Sequence, residues 1–237
     1  MRIDRSILPP GRIGLAVSGG ADSVALAFLL TKGGKKYRAS ERFVVLHVDH
    51  GIRPDSHKDC IFVQDLAERL HLSCFCLETK VVPEVGESIE MAARRVRLNF
   101  FARAMKEHHL DAIATGHQMD DVAETFLMRL RRASGPVGLS GIKPISTVGA
   151  IRFVRPLLGC RDYELRAYLE KYGEKWCEDL TNSDLSIERN HIRHVIIPFL
   201  EQNLDPHLVE HLGKTSGLLA RAVARAAQAG INLGEQG

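Results

Sequence analysis

The sequence predicts an α/β fold: a doubly wound parallel sheet with helices on both faces, followed by a small helical C-terminal extension. Three observations carry that expectation. An apolar run beginning at Ile13 leads into the turn Ser18-Gly19-Gly20 and then into a helical stretch from Ala21, which reads as strand, turn and helix. Continuous apolar stretches at 43–49 and 110–115 alternate with segments of helical spacing, the order expected of parallel strands joined by crossover helices. Polar residues gather just past the apolar runs, at 18–23, 47–53 and 115–124. Open α/β sheets bind ligands outside the carboxyl ends of their strands, so these three junctions are expected to share a site.

Each element follows in order. At the first junction two glycines let the backbone approach an anion closely, and the N–H groups and dipole of the following helix point at it. Ser18, Gly19, Gly20, Ala21 and Ser23 are therefore expected to cradle a pyrophosphate. No lysine followed by serine or threonine stands there, so the loop is not of the Walker type. A tight corner without a ligand is the plainer alternative. Residues 32–42 read as a basic loop, 43–49 as a strand buried on both faces, and 57–70 as a helix through Val63, Leu66, Ala67 and Leu70. A third strand is expected within 72–82, a long helix over 88–109, a fourth strand over 110–115 and a helix over 120–132. The glycine-, serine- and proline-rich run 135–149 reads as a loop suited to a mobile lid. Beyond it come a short strand at 151–154, a helix over 160–172 with Leu165, Tyr168, Leu169 and Tyr172 on one stripe, and irregular chain over 173–184. Helices are expected over 188–200, breaking in the Pro198 region, and over 207–229, with a catalytic domain over 1–205 and the extension over 206–237.

Composition is that of an ordinary soluble globule of 237 residues. No apolar run approaches the roughly 20 residues of a membrane span, and the first residues lack a secretory core, so a cytoplasmic protein with no membrane partner is expected. The five cysteines form no Cys-x-x-Cys pair and no zinc-spaced cluster, which points to buried reduced thiols. The formal charge of +3 is mild, but arginines cluster at 94–97, 129–132 and 189–193, as solvated helix faces or as a surface for a polyanion. Oligomeric state is left open, a homodimer being one arrangement the sequence permits.

The residues with chemical promise lie in those junctions and clusters. Asp121 and Glu124 fall three apart on one helical face, with His117 and Asp120 just before them. Paired carboxylates near a triphosphate hold magnesium or accept protons from an attacking amine, whereas helix capping accounts for one of the acids but poorly for the set. Glu90, Arg94 and Arg97 share a face: an exposed Glu90–Arg94 pair contributing only ~0.3–0.5 kcal/mol is the ordinary reading, and an arginine aimed at phosphate the functional one. The turn from Asp49 to Ser56, including Arg53, reads either as a capped glycine turn or as part of the site. Asp179, Thr181 and Asn182 likewise read as turn caps, and Arg189 and Arg193, one helical turn apart, as phosphate grips.

Taken in order, these motifs resemble the bacterial tRNA(Ile)-lysidine synthetases, members of the PP-loop ATP pyrophosphatase superfamily with an adenine nucleotide alpha hydrolase-like fold. The matching residues are Ser18-Gly-Gly-Ala-Asp-Ser23, His47-Val-Asp-His-Gly-Ile-Arg53, Ser88-Ile-Glu90 with Arg94 and Arg97, and Thr115-Gly-His117 through Asp121 to Glu124. Arg155-Pro-Leu-Leu158, Trp176 with Glu178 to Asn182, and Arg189-Asn190 with Arg193 continue the match, which covers roughly 13–205. The chain departs from the family at Leu98, Gln118 and Val122, where tyrosine, histidine and glutamine are usual.

The resemblance implies an ATP- and Mg2+-dependent ligase joining L-lysine to C2 of the wobble cytidine in tRNA(Ile) with anticodon CAU. Asp121, Glu124, Asp22, Arg94 and His117 are then catalytic, with Asp22 and Asp121 at the metal. The loop 18–23 with Val48, Asp49 and Gly116 contacts the nucleotide, and Arg53, Arg97, Arg189, Asn190 and Arg193 contact ATP or the tRNA. The main rival is another PP-loop tRNA-modifying enzyme, such as a thiolase, which generally needs paired cysteines near the loops. An amide-forming synthetase of the GMP or NAD type and a catalytically dead nucleotide-binding module are the others.

Overall fold

The computed structural model describes residues 1, 3–32, 39–51, 56–178, 184–231 and 233. Six strands form one sheet: β1 (Arg12–Ala16), β2 (Phe43–Asp49), β3 (Ser73–Glu78), β4 (Leu110–Ala114), β5 (Ile145–Val148) and β6 (Ile151–Val154). Their spatial order is β3-β2-β1-β4-β6-β5. Every neighbouring pair is parallel except β5 and β6, which are antiparallel. The chain winds outward from β1 through β2 to β3, then crosses back to place β4 on the other side of β1. Between β1 and β4 the winding reverses, and a crevice opens there at the carboxyl ends of the strands.

The strands alternate as a sheet covered on both faces must. Val45, Ala112 and Ala114 join Val24, Phe28, Leu66 and Leu165 in one apolar cluster, under α1 (Ala21–Lys32), α3 (Ser56–Arg69) and α7 (Asp162–Lys171). Val44, Leu46 and Ile113 face the other way and pack on Phe100, Phe101 and Ala104 of α4 (Ile89–Glu107). Adjacent residues of one strand therefore serve two cores, which is why these strands read as unbroken apolar runs. Helix α4 starts where Ser88 caps it, its hydroxyl accepting from the Met91 N–H at 3.2 Å.

Several expectations are corrected. The supposed basic loop 32–42 ends in a short helix, α2 (Ala39–Arg42). The supposed lid 135–149 holds α6 (Pro136–Leu139) and β5, an edge strand turned back on β6. Thus the sheet is mixed rather than wholly parallel. On the stripe of α7, Leu165 and Leu169 are buried as expected, but Tyr172 lies beyond the helix and is half exposed.

The C-terminal part is helical. Helix α8 (Glu188–His191), a π-helical turn over Ile192–Ile196 and α9 (Ile197–Asn203) run in succession, with the Ile197 N–H bonded back to the Ile192 carbonyl. Pro198 has no N–H to give and its ring crowds the preceding turn, so the widened turn sits immediately ahead of it and the helix continues past the expected break. Helix α10 (Leu208–Gln228) packs on α5 (Met119–Arg131), where Ala123, Ile192, Ile197 and Val209 form a third small core. Among the described residues no helix is long and apolar enough to cross a membrane.

One side chain ties this part together. Arg161, 11% exposed, reaches Asp120 of α5 at 3.1 Å, Glu201 of α9 at 3.0 Å and Glu210 of α10 at 2.8 Å. Arg161→Met leaves three neighbouring carboxylates without their cation and is expected to lower the unfolding free energy by about 3 kcal/mol. Urea denaturation with the midpoint and slope compared between the two proteins checks it.

Candidate active site

The sheet reversal brings two junctions face to face. After β1, the Ser18 N–H donates to Ser23 Oγ at 3.1 Å, and Ser23 Oγ donates to the Gly20 carbonyl at 2.8 Å, so the loop is laced by its own serines. Gly19 has φ +97°, a left-handed conformation that disfavours other residues, and its carbonyl accepts from the Cys177 N–H at 2.9 Å. After β4, Gly116 packs so tightly on the start of α1 that a Cβ there would stand 2.9 Å from the Asp22 carbonyl carbon. The two loops are in contact, and a cleft of about 760 Å³ opens between them.

On the side of the turn after β1 this cleft is lined by Ser18, Gly20, Ala21, Asp22 and Ser23, with Gly116 and His117 opposite. Gly19 lies behind it. Val48 lines the cleft too, as does Asp49, whose Oδ1 also accepts from the Gly51 N–H at 2.9 Å and so caps the turn itself. Arg53 falls outside the described residues, as do Asp179, Thr181 and Asn182.

Helix α5 carries the acids. Gln118, fully buried, stands before the helix and accepts from the Asp120 N–H, while its own N–H donates to Asp121 Oδ2 at 3.0 Å. Capping therefore accounts for one oxygen of Asp121 and not the other. Oδ1 accepts from Arg189 at 2.7 Å and from Arg193 at 3.2 Å. Glu124 completes a two-by-two array, with Oε2 bonded to Arg189 Nε at 2.6 Å and Oε1 to Arg193 Nε. Asp120 points away, toward Arg161 and the Asp162 N–H.

Glu124 thus differs from its expected placement. It is 0% exposed and does not line the cleft; it lies behind Arg189 and Arg193 and anchors them. Burial pushes its carboxyl above the ordinary value, and the two guanidinium groups oppose that shift. Asn190 lines the cleft, but its Nδ2 donates to the Asp184 carbonyl at 3.0 Å.

Asp22 is the unsettled member. Its Oδ1 is buried and has no hydrogen-bond partner. Burial, then the charges of Asp121 and Asp162, push its carboxyl up to about 7. A buried carboxylate oxygen without a donor, close to a second carboxylate, suits a divalent cation that also takes phosphate oxygens. No group of three histidine, cysteine or acidic side chains among the described residues is arranged to hold a metal alone. His117 accepts from or donates to Thr115 Oγ1 at 2.8 Å through Nδ1, and burial takes its pKa down to about 4, so the ring is neutral at pH 7.

On the α4 side, Arg94 and Arg97 face the cleft as expected. The alternative Glu90–Arg94 pair does not form among the described residues; the next arginine, Arg95, takes Glu87 at 2.8 Å and Glu84 at 3.3 Å. Arg155, half-buried at the end of β6, lines the same wall and was not singled out as a site residue. The available signal was its position just past a strand's carboxyl end.

Residues 3–200 match the family model of the PP-loop domain. The chain belongs to the PP-loop family. Among curated proteins this PP-loop chain is 42% identical over 207 residues to the tRNA(Ile)-lysidine synthase of Solibacter usitatus, covering 86% of this chain and 44% of that one. It is 42% identical over 199 residues to the enzyme of that name from Thermus thermophilus, covering 83% of this chain and 37% of that one. With that from Thermosynechococcus vestitus it shares 38% over 214 residues, 90% of this chain and 60% of that one. The chain thus spans about half the length of the curated relatives it matches. The solved U34-tRNA thiolase NcsA of Methanococcus maripaludis, with its [4Fe-4S] cluster, superposes at a TM-score of 0.74 with 18% identity, over 93% of this chain and 75% of that one, which establishes a shared PP-loop fold.

The Asp22 shift has a stability consequence. An acid whose folded pKa lies near 7 rather than 3.8 binds its proton more tightly in the folded state, so its contribution falls as pH rises from about 4 through 7. His117, with a lowered pKa, works in the opposite sense between about 6.5 and 4. Comparison with Asp22→Asn isolates the first effect: the variant's Tm advantage over the parent is expected to grow between pH 5 and pH 8, measured by thermal scans at matched ionic strength.

Proposed function

We propose that this chain is the catalytic portion of a tRNA(Ile)-lysidine synthase, joining L-lysine to C2 of the wobble cytidine of a CAU-anticodon tRNA at the expense of ATP. One observation carries the reading: a pyrophosphate-cradling loop and the carboxylate of Asp121 open into one cleft across the β1/β4 reversal. The similarity to enzymes of that name supports it.

In the first step cytosine O2 attacks the α-phosphorus of ATP, and pyrophosphate leaves into the Ser18–Ser23 loop, whose amides and hydroxyls receive its charge. Asp22 and Asp121 would hold a magnesium ion, which supplies charge neutralisation to the departing pyrophosphate. Arg94 and neutral His117 steady the charge on the α-phosphate, His117 as a donor through Nε2 when the Thr115 hydroxyl donates to Nδ1.

In the second step the lysine ε-amine attacks C2, the bond to AMP breaks, and the amine gives up a proton. With a reference pKa of ~10.4 that amine arrives as an ammonium ion and needs an acceptor. Asp121 is the acceptor at the cleft wall. Its Oδ1 exchanges Arg189 and Arg193 for the ammonium, and Glu124 retains the guanidinium groups from behind. Sulfur transfer finds poorer support, since Cys177 is the one cysteine among the described residues that lines the cleft.

The test is incubation with ATP, magnesium, labelled lysine and a CAU-anticodon tRNA, following label into RNA. Incorporation is expected, and Asp121→Asn should lower its rate at least 100-fold, as loss of a general base does. Label entering from a sulfur donor but not from lysine would overturn the reading.

A further inference from the structure

The cleft contains a second set of charges, on the α4 side. Arg94 and Arg97 lie three apart on α4, both reach solvent in the cleft, and neither makes a hydrogen bond or ion pair among the described residues. Arg155 is held by its NH1, which donates to the Lys143 carbonyl at 2.7 Å and to Ser146 Oγ at 3.0 Å, so the β5–β6 hairpin orients it. Its Nε is buried and has no partner, and neither has the buried Nδ1 of His50 on the same wall. These groups stand close enough to repel one another: desolvation and then the Arg94 charge lower the pKa of both Arg97 and Arg155, and desolvation and then the Arg97 charge lower that of His50.

Acids are not scarce nearby. Arg95, Arg161, Arg189 and Arg193 all have carboxylate partners. A wall of like charges without counter-ions costs stability unless a ligand supplies the anion. The PP-loop is not that wall, because it leads into α1 on the other face of the sheet from α4. Guanidinium forks with free N–H edges match the paired oxygens of a phosphate group.

We propose that Arg97 and Arg155, beside Arg94, form a second anion subsite, separate from the PP-loop, which takes a backbone phosphodiester of the RNA strand beside the target base. This rests on the tRNA reading above for the identity of the strand. The cleft then holds two anions at once, the polyphosphate on the α1 side and the RNA backbone on the α4 side.

The test measures binding of a CAU anticodon stem-loop RNA over a range of salt, and of MgATP separately, for the parent, Arg97→Met, Arg155→Met and the double variant. Each single variant is expected to weaken RNA binding about tenfold and to lower the salt slope by about one unit, with MgATP binding within twofold. Arg97→Lys should recover part of the affinity. Because Arg97→Met removes an uncompensated cation, its Tm should equal or exceed the parent's. Unchanged RNA affinity and slope, an equal loss of MgATP and RNA binding, failure of the parent to bind the RNA, or a lowered Tm for Arg97→Met would each overturn the subsite. A parent that binds RNA as described but transfers no lysine overturns the lysidine reading and leaves the subsite standing.

Discussion

Glu124 has no exposed surface, and a carboxylate so placed must be matched by charge or lose it, so much of the molecule is arranged to bring two guanidinium groups to it. Both come from the helical segment after the irregular stretch: Arg189 from α8 and Arg193 from the π-helical turn. That segment therefore has to lie along α5, and the apolar contacts of Ala123 with Ile192 and Ile197 hold it there. On α5's next residue over, Asp120 engages Arg161 and through it α9 and α10. Helix α5 is thus fixed by ionic contacts on two sides, and its one acid facing the cleft, Asp121, is placed by constraints that lie behind it.

The sheet supplies the other half of the arrangement. Because β4 returns to the far side of β1, the loops following the two strands become neighbours although nearly a hundred residues separate them. Gly116 records how close they come: with any Cβ the second loop would press on the backbone of the first. The position of Asp22 relative to Asp121 is consequently a property of strand order and one glycine contact. Its raised pKa follows from that placement, since burial and a neighbouring carboxylate act in the same direction on it.

Much of this was legible in the residues. Apolar runs and helical spacing located four parallel strands, the short strand at 151–154 and the main helices, because each buries a regular face. The Ser18–Ser23 loop and the acid pair stood out through polar residues at strand ends. What periodicity does not report is what lies across from a face. It placed Asp121 and Glu124 together but could not say that one lines the cleft and the other sits behind it. It left a Glu90–Arg94 pair open beside a cleft-facing Arg94, whereas Arg95 is the member of that run that finds acids. Strand β5 and helix α6 were hidden in a glycine- and serine-rich run, because a four-residue edge strand paired with its immediate neighbour has little apolar pattern to show. The π turn arises from Pro198 inside an otherwise continuing helix, where a proline normally signals an end.

The charges of the cleft are segregated rather than mixed. Toward α5 the carboxylates are fully engaged by Arg189 and Arg193, so that end is polar yet near neutral and can trade one partner for another without a net desolvation of charge. Toward α4, Arg94, Arg97 and Arg155 have no carboxylate partner among the described residues, although Arg155 bonds the Lys143 carbonyl and Ser146 Oγ. A ligand carrying phosphate is drawn to one end by long-range attraction, which salt screens, whereas an amine gains at the other end only by short-range exchange inside the pocket, which salt screens little. On the proposed function an order of arrival follows from this difference. Anionic partners would bind to the cleft as it stands, and their charge would compensate the arginine wall. With that wall compensated, the repulsion it exerts on an incoming ammonium ion would be removed, so the amine would be favoured after the phosphates are in place.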